Sequence, residues 1–368
     1  MNKHISIISA AVLLGGVMLL GGCTKSPFSR KGETITFGTV ASGSLTRAAY
    51  GDDFPATGTP TLQRIDWEEG DAIRVVSDNA AVVNNGSNLK YADYTVGTIT
   101  QEADGSSSAT VENAAANGLA WTGAETYSFW AVYPSTATIG ATGTVETDFI
   151  KAAQAMPTGE TSTRTVGDVT YTIYTPDLSA AVMNAVATGV KENDDKPQVK
   201  LHFKPAWTAI EFNLSSQDDD IEVTELQLVA DAAGSDYLAG PFTMTAGDLS
   251  SVAVNTASAS RTATLSVSGV TLTETEGASL TMFILPVDNA SALKLRLTSK
   301  EDDGTKTSAV SLTRTVNGEK VPFVFEAGKK YRINGFKAPG SSWKIFIATD
   351  IMNVDDWGTP VDTELIVE

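Results

Sequence analysis

The chain has 368 residues, 42% of them apolar and 19% charged, with 44 acidic against 26 basic side chains and a formal net charge of −18. That composition excludes a disordered chain, and at roughly 100–200 residues per domain the length fits two domains. The acidic excess, with no basic cluster beyond the N-terminal segment, excludes a nucleic-acid-binding face, which needs clustered Lys and Arg to neutralise phosphates.

Residues 1–23, "MNKHISIISAAVLLGGVMLLGGC", place Lys3 ahead of an apolar run over 5–20. The run is too short and too abruptly ended for a membrane span and reads as a secretory signal. It closes on Leu20-Gly21-Gly22-Cys23, which resembles a bacterial lipobox. The resemblance implies removal of residues 1–22 and lipidation of Cys23. Thr24 and Lys25 follow in place of Asp, a pattern similar to lipoproteins sorted to the outer membrane. Cys23 is the only cysteine, which excludes an intrachain disulfide and a cysteine metal site.

The first expected strand is 34–40, "TITFGTV", with Ile35 and Phe37 on one face. Residues 41–60, "ASGSLTRAAYGDDFPATGTP", are rich in Gly, Ser, Thr, Pro and Asp and read as a loop holding one basic residue, Arg47. In "IDWEEGDAIRVVS", Ile65 and Trp67 precede a Glu-Glu-Gly-Asp turn, and Ile73 and Val75 follow it. "YTVGTIT" turns at Asp104-Gly105 into "SSSATVEN", and "AETYSFWAVYPS" is an apolar strand ended by Pro134. Residues 170–190 give a strand and then an irregular segment for which a helix is the alternative. The charged "KENDDKPQ" at 191–198 reads as an inter-domain boundary.

Beyond it, Val199, Leu201 and Phe203 alternate, then Ile210, Phe212 and Leu214. "TELQLVA", "ATLSVSGVTL", "SLTMFILPV" and "LKLRLTS" read as strands, and Asn317-Gly318 as a hairpin turn. "KKYRINGF" and "SSWKIFIAT" complete the series. Many short strands with regular turn signals imply an all-β chain of β-sandwiches. The tail 359–368, "TPVDTELIVE", sets Val361, Thr363, Leu365 and Val367 on one side and Asp362, Glu364 and Glu368 on the other, with Ile366 as the exception.

Nothing in the sequence points to catalysis. The one histidine beyond the signal, His202, lies in an alternating strand and reads as solvent-facing. There is no phosphate-binding glycine loop, HExxH or GxSxG. The acidic runs at 218–220, 302–303 and 355–356 lack the spacing of a calcium loop, so no metal or cofactor is expected. The six Trp, at 67, 121, 130, 207, 343 and 357, sit mostly in apolar strands and read as core.

"LGGC" at 20–23, "LTRA" at 45–48, "WEEGDAIRV" at 67–75, "LHFKPAWTAIEFNL" at 201–214, "FEAGKKYRI" at 325–333 and "VDDWG" at 354–358 together resemble the fimbrillin family, the lipoprotein pilins of type V pili. Lys204-Pro205 departs from the family pattern, where a histidine is expected after the phenylalanine. The resemblance implies two transthyretin-like β-sandwiches in tandem. It implies a signal over 1–22, a propeptide over 23–47, and domains over 48–195 and 196–368. It further implies export to the outer membrane and cleavage between Arg47 and Ala48 by an arginine-specific protease. The first strand, with Ile35 and Phe37, then leaves. A donor strand, for which the tail with Val361, Thr363, Leu365 and Val367 is the candidate, fills the groove in a neighbouring pilin of an adhesive fimbrium. Three alternatives stay open: the tail as an edge strand of its own domain, a surface glycan-binding lipoprotein, and an anchor subunit that keeps its lipid.

Overall fold

The computed structural model describes residues 31–354, except 42–48, 55–61, 83–89, 102–106, 114–116, 160, 180, 193–197, 218–219, 233, 288–292, 303, 317–318, 323, 339–340 and 342. Every regular element among the described residues is a strand, so the chain is all-β. The lipidation site Cys23, the cleavage pair Arg47 and Ala48, and the donor positions Val361, Thr363, Leu365 and Val367 lie outside the described residues.

Two eight-stranded sheets carry the fold. The first has the order 199–202, 37–41, 107–112, 91–101, 72–77, 127–133, 183–190, 204–205. Its two edge strands are consecutive in the chain, with only Phe203 between them, so the sheet rolls around its own core. Trp67, Phe129 and Phe203 are buried there, and Trp67 meets Tyr133 and Phe203 edge-on at 5.4 and 5.0 Å. The turn that begins at Trp67 is built by its own residues. Gly70 takes φ +99°, a region open to glycine at little cost. The Asp71 carboxylate accepts from Glu68 N–H at 2.9 Å and from the Tyr133 hydroxyl at 3.1 Å.

The second sheet has the order 161–166, 169–174, 276–284, 208–216, 329–337, 344–354, 62–66, 49–54. One face supplies Ile210, Phe212 and Leu214 to a second core. The facing five-stranded sheet, of order 153–155, 262–272, 221–229, 294–301, 304–311, supplies Val223, Leu226 and Leu265. This is a β-sandwich, with alternate residues of each strand turned inward.

The ladders cross residues 191–198. Strand 37–41 pairs with 199–202, strand 144–147 with 242–245, 153–155 with 262–272 and 169–174 with 276–284. The two cores are therefore knit together by strands from both halves of the sequence.

Two local expectations are corrected. The loop expected over 41–60 contains the strand Ala49–Phe54, paired with Leu62–Asp66. Its Gly and Asp content argues locally against a strand, but the partner supplies the ladder. The segment for which a helix was the alternative forms the strand Met183–Val190, held between 127–133 and 204–205. The strands either side of the expected Asn317-Gly318 turn pair antiparallel, with Val316 opposite Glu319; the two turn residues themselves lie outside the described residues.

Candidate strand-exchange site

Residues 32–36 run along 119–121. Gly32 N–H donates to Trp121 C=O at 2.8 Å, Ile35 N–H to Leu119 C=O at 2.8 Å, and Trp121 N–H to Glu33 C=O at 3.1 Å. The chain then enters the first sheet as Phe37–Ala41, antiparallel to 107–112 and parallel to 199–202. Both sides of this strand are paired. It is an interior strand, although it lies near the start of the sequence.

Ile35 and Phe37 are buried as fully as the backbone of strand 37–41 is paired. Ile35 is 2% exposed and Phe37 0%. The Phe37 ring meets Tyr94 at 5.1 Å and Phe129 at 5.2 Å, both edge-to-face. The Tyr94 hydroxyl accepts from Leu119 N–H at 2.8 Å, and its burial raises its pKa above the ordinary phenol value. The wall of the Phe37 seat is thus fixed by the same residue, Leu119, that receives the Ile35 amide. Tyr94 and Phe129 were not singled out from the sequence. Their apolar, alternating strands marked them as core, but not as neighbours of Phe37.

The segment 42–48, which holds Arg47, connects two different sheets. It leaves strand 37–41 of the first and arrives at strand 49–54, the edge of the second. Residues 62–66 in turn lie parallel to the end of strand 344–354, with Leu62 opposite Asn353 and Gln63 opposite Val354. Strand 344–354 therefore ends beside the paired strands 49–54 and 62–66.

A second buried cluster lies on the other face of strand 208–216. Glu211 is 4% exposed. Its carboxylate accepts from Arg332 Nε at 2.6 Å and Arg164 Nη2 at 3.2 Å, and it pairs with Lys330. Burial alone raises a carboxyl pKa, but Lys330, Arg332 and Arg164 outweigh it and hold Glu211 well below the usual range. Arg164 also donates to Asn213 Oδ1 at 3.2 Å, and Asn213 to Asn334 Oδ1 at 3.2 Å. The sequence signal was a carboxylate set between Ile210 and Phe212 in an apolar strand. With one buried carboxylate shared by three cations, the cluster suits the fixing of strand register.

The remaining sequence-marked residues fall into place simply. His202 is exposed on its strand. Trp67, Trp121, Trp207 and Trp343 are buried, Trp130 is partly buried, and Trp357 lies outside the described residues. Tyr91 and Val166 are the large apolar side chains that stand exposed among the described residues. No group of three or more His, Cys, Asp or Glu among the described residues could hold a metal ion.

Two solved structures share this fold. One, described as a "putative cell adhesion protein" from Bacteroides uniformis, is 15% identical, with a TM-score of 0.51 over 87% of this chain and 98% of that one. A second with the same description, from Bacteroides ovatus, is 15% identical, with a TM-score of 0.50 over 88% and 98%. No curated protein matches the chain. The family model described as fimbrillin-like matches residues 46–335, and the chain accordingly belongs to the fimbrillin-like family of surface pilus and adhesion subunits.

Proposed function

We propose that the chain is a structural subunit of a type V pilus that polymerises by donor-strand exchange. It is exported as an outer-membrane lipoprotein held through Cys23 and cut between Arg47 and Ala48 by an arginine-specific protease. It then enters an extracellular, adhesive fimbrium with other pilin subunits. Its two sandwich domains, 48–195 and 196–368, exchange ladder strands across residues 191–198.

The observation that carries this reading is the placement of strand 37–41. It is fully paired inside the first sheet, yet its covalent link onward runs to a different sheet. A cut in 42–48 severs the chain between two sheets, outside the ladder pairs of the described strands 37–41 and 49–54. Loss of the strand afterwards uncovers the ladder groups of 107–112 and 199–202 and the seats of Ile35 and Phe37. Each buried backbone group left without a partner costs about 1–3 kcal/mol. The cut strand therefore stays until another strand replaces it, and the replacement restores ladder and core together.

Cleavage at Arg30 or Lys31, the other basic sites nearby, precedes the strand and keeps it attached. Among the described residues four Trp side chains are buried, Trp130 is partly buried and Tyr91 is the one large aromatic that stands exposed, so no cluster of exposed aromatics favours the glycan-binding alternative.

N-terminal sequencing of protein from cells, with and without arginine-specific protease, tests the reading. The expected result is a new N-terminus at Ala48 together with higher oligomers, both lost in Arg47→Ala. Surface protein that begins at Cys23 and still assembles refutes the strand-exchange route.

A further inference from the structure

Residues 32–41, "GETITFGTVA", define the shape of whatever would replace them. The backbone places few demands on the replacement. Strand 37–41 is antiparallel to 107–112 and parallel to 199–202, so the two flanking strands oppose each other in direction. A donor inserted either way makes one parallel and one antiparallel ladder. Direction and register are therefore chosen by side chains.

The side-chain demand is specific. The Phe37 seat is walled by Tyr94 and Phe129 at 5.1 and 5.2 Å, and Phe129 is backed by Tyr127, stacked at 6.1 Å, and by Trp121 at 6.3 Å. Close-packed aromatic walls cannot collapse onto a smaller residue without leaving a void. Two residues earlier, Ile35 fills an aliphatic seat, while Thr36 between them is exposed. A Cβ at Gly38 would stand 2.7 Å from Gln198 Oε1, the movable end of a side chain, so that place prefers a small residue without requiring glycine.

This chain's own tail does not meet the demand. "TPVDTELIVE" contains no aromatic residue. Its best two-seat fit, inserted in reverse, sets Val367 in the Ile35 seat and Leu365 in the Phe37 seat, where leucine is too small. Ile366 in the Phe37 seat sets Glu364 or Glu368 in the aliphatic seat, where an unpaired carboxylate is costly. Trp357, the nearest aromatic, overfills a phenylalanine seat and brings Asp355 or Thr359 into the other.

We propose that the groove under residues 32–41 is matched to a donor strand that carries an aromatic residue two positions from an isoleucine, leucine or valine. It therefore fits a pilin chain other than a second copy of this one. The inference rests on the strand-exchange reading above and names the partner that reading requires. The mismatch with the tail is a specificity device, since a void and a buried carboxylate both count against self-pairing.

The test uses the full chain cut at Arg47 and measures displacement of fluorescently labelled 32–41 peptide by four competitors. These are unlabelled 32–41, the same peptide with Phe37→Leu, the tail peptide 359–368, and the tail peptide with Leu365→Phe. The native tail and the Phe37→Leu peptide are expected to compete about tenfold or more weakly than unlabelled 32–41, the usual penalty for missing methylenes in a closed apolar seat. Leu365→Phe is expected to recover most of that loss. A native tail that competes as well as the 32–41 peptide overturns the inference and leaves strand exchange standing. A cut chain that takes up no peptide, its own 32–41 included, overturns the strand-exchange reading and the inference with it.

Discussion

Phe37→Ala is expected to be severe before processing and silent after it. Phe37 is 0% exposed and edge-to-face with two rings. Truncating such a phenylalanine costs about 3–5 kcal/mol through lost burial and the cavity left behind, with the lost ring pairs toward the upper end of that range. At about 2–4 °C per kcal/mol for a large domain, the melting temperature should fall on the order of 10 °C. The assay is thermal unfolding, followed by circular dichroism, of the uncut chain held intact by Arg47→Ala. The second arm is the same Phe37→Ala change in processed, polymerised protein. There residues 32–41 have left, so the substitution has nothing to act on and the melting temperature should match that of the parent. A fall of less than about 3 °C in the uncut chain refutes the packing argument, given that scale. An equal fall in both forms refutes the departure of the strand.

Glu211→Gln should destabilise the chain by about 3–5 kcal/mol, because the buried Lys330 and Arg332 and the partly buried Arg164 lose their shared carboxylate. The folded-state pKa of Glu211 is depressed, so its contribution is present above the unfolded value and is lost as pH falls through and below the ordinary carboxylate range. Urea midpoints of the parent should drop below about pH 4.5, and those of Glu211→Gln should drop less; parallel curves would contradict this. Asp71→Ala removes the acceptor used by both Glu68 N–H and the Tyr133 hydroxyl and should cost about 1–3 kcal/mol in urea unfolding, with Asp71→Asn intermediate. In Gly247→Ala the new Cβ meets Val186 Cγ1 at 2.1 Å with φ at +84°. It should lower stability by about 1–3 kcal/mol, whereas an unchanged midpoint would show that the neighbouring strand yields freely.

The sequence determined a good deal by itself. Period-two alternation marked most strands, among them the one that carries Ile35 and Phe37, because a half-buried strand must turn apolar residues to one side. The Glu-Glu-Gly-Asp turn was legible because its glycine and its aspartate act locally. The tertiary structure decided what no local pattern contains. It made 49–54 a strand despite its loop-like residues, since a partner supplies the ladder. It placed 37–41 beside 199–202, far along the chain, which turns an early strand into an interior one. It gave Glu211 three cations drawn from strands 161–166 and 329–337, where alternation alone indicates a solvated carboxylate. Periodicity reports which way a side chain points, and strand pairing is settled by non-local contacts that bury both sheet faces at once.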